Sequence, residues 1–234
     1  MKNYIFGYPD LYVYQNDDLF KMSLDSVLLS NFVTLKKSGL ILDIGTGNAP
    51  IPIVLSRKTN SKIIGVEIQK DIYELAVKSV FINNLDNRVE LLNKDIKEVY
   101  KEFRSDSFDT IVSNPPYFKV TENINEKDSF SIARHEIFLT ISDIISISKK
   151  LLKNKGNLAI VIRPDRLIEI IELMRKNNIE PKRIKFIYPK LGKESNIMLI
   201  EGIKNGKPGL KVLDPLYVYQ NNEYSKDLLN YVRW

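Results

Sequence analysis

Leu40-Ile41-Leu42-Asp43-Ile44-Gly45-Thr46-Gly47-Asn48-Ala49 is the stretch that decides the fold. A short apolar run closed by a glycine turn reads as a buried strand. Glycines at 45 and 47 let the backbone turn tightly and approach a ligand closely. The residues after them open a helix. A strand that feeds a helix through such a turn is the opening unit of a doubly wound α/β sheet, whose ligands bind outside the carboxyl ends of the strands near the switch point.

Glu67 follows Asp43 by 24 residues and ends a second strand. A carboxylate there can accept hydrogen bonds from both ribose hydroxyls. The pair points to a nucleoside-containing cofactor, the alternative being a strand-to-helix turn with no ligand. A dinucleotide fits poorly, because Pro50 stands where the third glycine of the pyrophosphate-binding fingerprint belongs. Asp43 is also badly placed to face a pyrophosphate, whereas it suits the ammonium of a methionine moiety.

Outward from this turn, apolar runs alternate with amphipathic stretches. Strands are predicted at 40–44, 62–67, 89–92, 108–112, 157–162, 183–188 and 196–201. Helices are predicted at about 23–35, 71–83, 136–152 and 167–176, the first capped by Ser23 or Asp25. The last two strands share only a short link and read as an antiparallel hairpin. The expected architecture is α/β: a seven-stranded, mostly parallel, doubly wound Rossmann-like sheet with one antiparallel strand. Residues 40–203 form its core, with an N-terminal extension at 1–39 and a C-terminal one at 204–234, all in one globular domain. Leu-Tyr-Val-Tyr-Gln-Asn occurs at 11–16 and again at 216–221. Six residues are too few for a repeat architecture, and the two copies read as similar edge strands, neighbours outside the main sheet. Residues 119–131 are polar and lack periodicity, as a lid would.

The 234 residues contain no cysteine, which excludes a disulfide framework and thiolate metal sites; no metal is expected. The polar N-terminus lacks a signal peptide's apolar run, and no apolar stretch is long enough to span a membrane, so a cytoplasmic setting is expected. Net charge is +6. Thirteen Lys or Arg against four Asp or Glu lie between Lys149 and Lys193, leaving the rest slightly acidic. Such a segment reads either as the footprint of a polyanionic partner or as a solvated lysine-rich face.

Asn114-Pro115-Pro116-Tyr117 ends the fourth strand. The exocyclic amine of adenine is a poor nucleophile because its lone pair is delocalised into the ring. The Asn114 side-chain oxygen and the Pro115 carbonyl could both accept hydrogen bonds from such an amine and draw the nitrogen toward a tetrahedral shape. The prolines stiffen the loop, and Tyr117 offers a ring on which a base can stack. The plainer alternative is a rigid turn with a surface tyrosine. Between the two motifs lies Asn93-Lys94-Asp95-Ile96. Asp95 reads as a helix N-cap and also as an acceptor for a cofactor's adenine amine, with Ile96 packed on the ring.

The three motifs in this order resemble the class I S-adenosylmethionine-dependent methyltransferases over about residues 20–203. Members with Asn-Pro-Pro-Tyr methylate planar amino groups, either adenine amines or the amide of glutamine. The resemblance implies cofactor contacts at Asp43, Gly45, Gly47, Asn48, Glu67, Ile68, Asp95, Ile96 and Asn114, and catalytic roles for Asn114, Pro115, Pro116 and Tyr117. The usual third glycine is Ala49 here. More of the chain is similar to one subgroup, the enzymes that methylate the adenosine next to the anticodon of a valine tRNA. The similarity lies in Asp25-Ser26-Val27-Leu28-Leu29, Ala133-Arg134-His135-Glu136, Arg163-Pro164-Asp165-Arg166, Tyr188-Pro189-Lys190 and the run from Asn196 to Glu201. About 39 residues precede the first strand, too few for the N-terminal recognition domain of glutamine methyltransferases.

The expected reaction is methyl transfer from S-adenosylmethionine to the N6 amine of a tRNA adenosine by in-line displacement. Arg134, His135, Arg163, Arg166 and Lys190 are the candidate RNA contacts, each also readable as ordinary surface charge, and His135 also as a structural residue. The partner expected is tRNA, with no obligate protein partner. Methylation of protein glutamine or ribosomal RNA guanine, or RNA binding without catalysis on the same fold, are the competing readings.

Overall fold

The computed structural model describes residues 1–16, 23–115 and 139–232. In chain order its strands begin with a hairpin of β1 (Lys2–Ile5) and β2 (Tyr8–Tyr14). The central strands are β3 (Leu40–Ile44), β4 (Lys62–Val66), β5 (Val89–Leu92), β6 (Phe108–Ser113), β7 (Leu152–Ile162), β8 (Ile179–Tyr188) and β9 (Ile197–Lys204). They line up as β8-β9-β7-β6-β3-β4-β5. Only β9 runs against the others, since it is antiparallel to both β7 and β8 while the remaining pairs are parallel. The seven predicted strands therefore form the expected sheet. Two short strands widen it: β10 (Lys211–Val212) and β11 (Leu216–Tyr217), both parallel to β8. A second hairpin, β12 (Tyr219–Gln220) with β13 (Glu223–Tyr224), lies off the sheet.

The helices are α1 (Leu24–Phe32), α2 (Pro50–Lys58), α3 (Lys70–Ile82), the single turn α4 (Ile96–Val99), α5 (Ile141–Leu151), α6 (Leu167–Lys176) and α7 (Lys226–Val232). Successive strand residues face opposite sides of the sheet, which divides the core in two. Ile41, Ile63, Val112 and Val161 pack with α1, α2, α3 and the β1–β2 hairpin. Leu42, Ile44, Ile111 and Ile160 pack with α4, α5 and α6. The strand order reverses between β3 and β6, and the crevice outside their carboxyl ends is where a sheet of this kind takes a ligand.

Several boundaries differ from expectation for tertiary reasons. α1 stops at Phe32 rather than Leu35, because the Thr34 amide donates to the Glu201 carboxylate at 2.7 Å instead of continuing the helix. Ser23 is its N-cap residue but makes no side-chain cap bond. α5 starts at a capping box in which Thr140 and Asp143 each accept the other's backbone amide; the expected start at 136 lies outside the described residues. β8 begins four residues early and takes Pro181 at a register shift, one of the few places a sheet tolerates proline. The repeated hexapeptide does not make neighbouring strands. Its first copy enters β2, and its second is split between β11 on the main sheet and β12 in the separate hairpin.

Candidate functional site

The glycine turn and the asparagine–proline loop leave adjacent strands at the same edge. β3 and β6 pair in register, Asp43 opposite Val112 and Ile44 opposite Ser113. The Ser113 hydroxyl donates to the Ile44 carbonyl at 2.8 Å and binds the two strand ends together. Gly45 and Asn114 are the next residues on each strand. In the turn, Gly45 and Gly47 have φ of 72° and 58°, values that L side chains resist. A side chain added at either glycine would meet nothing within 4 Å, so the turn borders open space. Ala49 adopts φ 67° as the N-cap residue of α2. Its methyl is small enough, and the cost is conformational, about 1–2 kcal/mol.

Asp43 is fully buried. One carboxylate oxygen accepts from the Thr46 hydroxyl at 2.5 Å, and the other has no hydrogen-bond partner. Burial is the main reason that its carboxyl is pushed up to about 7; the Thr46 bond opposes the shift and the Glu67 charge adds to it. Glu67 is buried at the end of β4 and clasps the turn, accepting from the Gly47 amide at 3.0 Å and the Gln69 amide at 2.9 Å. A carboxylate has about four acceptor sites, so two of them remain for a ligand. Beside it Ile68 leaves 44% of its surface exposed. The Asn93 amide donates to the Glu67 and Ile68 carbonyls and ties this segment to the end of β5. Asp95 is the N-cap of α4 and accepts from the Lys97 amide at 2.8 Å. Ile96 is buried in the core under that turn, not displayed on the surface.

Asn48 faces inward. Its side-chain nitrogen donates to the Tyr14 carbonyl at 2.9 Å, so it fastens β2 to the turn, while its side-chain oxygen is buried without a partner. Asn114 is half-buried, and its side-chain nitrogen donates to the Ser26 hydroxyl on α1 at 2.9 Å. Pro115 is buried beside it. Pro116, Tyr117, Arg134, His135 and the segment expected to form a lid lie outside the described residues.

Arg163 follows the end of β7 and Lys190 the end of β8; both are at the site edge because β7 and β8 run the same way. Arg163 is about half exposed, with Asp165 at 3.6 Å, and Lys190 is exposed. Arg166 is different. It is 8% exposed and grips both oxygens of Glu169, at 2.9 and 2.8 Å, a geometry that suits holding the start of α6 better than meeting a phosphate. The basic segment as a whole does not converge on the site. Lys149, Lys150, Lys153, Lys155, Arg175, Lys176 and Lys182 lie where α5 and α6 end and β7 and β8 begin, at the opposite edge of the sheet.

Sequence reasoning quoted Ser26 and Thr46 within motifs but gave them no role, and it missed Ser113 and Tyr14; all four orient the site without carrying its chemistry.

Comparison with known proteins bears on this edge of the sheet. The family model described as the methyltransferase small domain matches residues 21–178. A tRNA1(Val) (adenine(37)-N6)-methyltransferase of Phocaeicola vulgatus is 30% identical over 200 residues, 86% of this chain and 84% of that one. Its namesake in Parabacteroides distasonis is 27% identical over 190 residues, 81% of this chain and 79% of its own. Among solved structures, one described as a predicted O-methyltransferase from Agrobacterium tumefaciens superposes with a TM-score of 0.71 at 20% identity, covering 89% of this chain and 97% of the other. With more than half its length under one model and a glycine turn beside an asparagine–proline loop at the switch point, the chain belongs to the methyltransferase small domain family.

Proposed function

We propose that this protein methylates the N6 amine of an adenosine in tRNA, at the position next to the anticodon of valine tRNA, with S-adenosylmethionine as the donor. The observation that carries the reading is Asn114, held by Ser26 at the end of β6, one strand from the glycine turn. The substrate is suggested by the names of the relatives that align along most of the chain.

The residues fit the donor. The unpartnered oxygen of buried Asp43 offers an acceptor to the ammonium of the methionine part. The open space over Gly45 and Gly47 admits a ligand close to the backbone. Glu67 retains acceptor capacity for ribose hydroxyls, and exposed Ile68 offers an apolar surface to the adenine ring. When bound, S-adenosylmethionine supplies a methyl group activated by a positively charged sulfur. The protein's share is positioning. Asn114 Oδ1 and the Pro115 carbonyl accept from the amine, draw its nitrogen out of conjugation and hold it at the mouth of the turn. Burial strengthens those hydrogen bonds. A strong base is not needed, because the methylated ammonium loses its proton readily. An anticodon loop is already single-stranded, so extruding the base is cheap. Arg163 and Lys190 stand at the same edge to take RNA phosphates. Among the described residues no helix is long and apolar enough to cross a membrane.

The test is mass spectrometry of nucleosides from tRNA incubated with protein and donor. N6-methyladenosine is expected with the wild type and at least about a hundredfold less with Asn114→Ala, while calorimetry shows donor affinity within a few-fold. Near-normal turnover by that variant removes the amine-grip mechanism; methyl found on protein or on guanine removes the substrate assignment.

A further inference from the structure

The β1–β2 hairpin packs one face on the core through Ile5, Leu11 and Val13, all buried. Its register sets Lys2 opposite Tyr14 and Tyr4 opposite Tyr12, so these four side chains share the other, outward face. Tyr4 leaves 62% of its surface to solvent. The Tyr4 and Tyr12 ring centroids are 4.7 Å apart, and the Lys2 ammonium sits 3.6 Å over the Tyr12 ring. Lys2 covers one face of the Tyr12 ring, Tyr12 and Tyr14 are partly exposed, and Tyr4 presents the most ring surface to water.

The backbone beneath this face is anchored. The Tyr14 amide donates to Ser79 Oγ at 2.8 Å, the Tyr12 amide to Asn83 Oδ1 at 3.0 Å, and the Asn83 amide returns a bond to the Tyr12 carbonyl. α3 thus covers an edge strand whose polar groups would otherwise be free to pair elsewhere. At its far end β2 is tied by its Tyr14 carbonyl to Asn48 of the glycine turn. The result is an aromatic, lysine-bearing strip on an anchored hairpin whose end is bonded to the glycine turn.

We propose that this strip, Lys2 with Tyr4, Tyr12 and Tyr14, is a platform on which unpaired nucleotides flanking the target base stack. Planar rings on a pre-ordered strand accept any base face, and an adjacent ammonium meets the backbone phosphate. Continuity with the turn through Asn48 and the lysine charge single out unpaired RNA as the occupant, and the proposal rests on the RNA-methylating reading above.

The experiment measures binding of an anticodon stem-loop RNA and of S-adenosylmethionine to the full chain, for wild type and for Tyr4→Leu, Tyr12→Leu, Tyr4→Phe and Lys2→Gln. Each leucine variant is expected to weaken RNA binding about tenfold, the scale of one base–aromatic stack. Tyr4→Phe keeps the ring and is expected to bind like wild type, Lys2→Gln to lower the salt dependence, and donor affinity to stay constant throughout. Crosslinking of 4-thiouridine-containing RNA to wild-type protein is expected to label peptides within residues 2–14, a readout that needs no variant to fold. Leucine variants that bind RNA as the wild type does, or a phenylalanine variant as weak as the leucine one, overturn the platform alone. A wild type that binds no RNA at low salt overturns the RNA reading and the platform with it.

Discussion

Two buried aspartates sit at opposite ends of adjacent strands and meet opposite fates. Asp109, near the start of β6, is enclosed by cations and donors: Lys36 and Lys153 each reach it at 2.7 Å and the Leu40 amide at 3.0 Å. Burial alone would raise its carboxyl, but the two lysines and the amide outweigh burial and hold it at about 2. Asp43, at the end of β3, has one hydroxyl and no cation, and stands at about 7. Asp109 has its acceptors met by cations and an amide, whereas Asp43 and the neighbouring Asn48 each keep a buried oxygen unmet. A buried unpaired acceptor costs about 1–3 kcal/mol, a cost that the proposed donor would offset at Asp43.

The largest break in this comparison is Asp109→Ala. It strands the Leu40 amide and separates two lysines from their partner, and is expected to destabilise the fold by about 2–3 kcal/mol in urea unfolding. That lies below the cost of breaking a fully buried pair, because both lysines are half exposed and stay hydrated. Next is Asp43→Asn, which keeps an acceptor for Thr46 but removes the charge. Donor affinity is expected to fall about tenfold or more, while the melting temperature of the ligand-free protein at pH 7 holds or rises. A lowered melting temperature with unchanged affinity would make Asp43 a structural residue like Asp109.

The pH dependence sharpens the contrast. Asp43's folded value is raised, so its contribution to stability is full below the unfolded value near 4 and is lost as pH rises through about 7. Asp109's is depressed, so its contribution is present above 4 and is lost as pH falls toward 2. Donor binding in the wild type is expected to tighten as pH rises through 7, when Asp43 ionises, and calorimetry across pH 6–8 on Asp43→Asn is expected to be flat by comparison. The smallest effect is Lys36→Met. Lys153 and the Leu40 amide remain on Asp109, and the loss is expected to stay under about 1 kcal/mol by the same unfolding assay.

The contrast also separates what was readable in advance. Asp43 and Asn114 were found as site candidates because glycine and proline punctuation beside them is local, and Glu67 because it ends the next strand at a fixed spacing from Asp43. The tight bonding of Asp109 was invisible: Lys36 and Lys153 lie 73 and 44 residues away and meet it only when β3, β6 and β7 align.

Strand period, glycine turns and helix starts act over a few residues, so the chain's own order of residues specified seven strands, their alternation with helices and the place of the glycine turn. Contacts between distant segments had to be decided by the folded sheet. Strand direction sent most of the basic segment to the edge away from the site, packing turned Arg166 onto Glu169, and Ser26 on α1 met Asn114. A charge or an amide takes its partner from whatever the topology brings within about 3 Å, and sequence spacing carries no record of that.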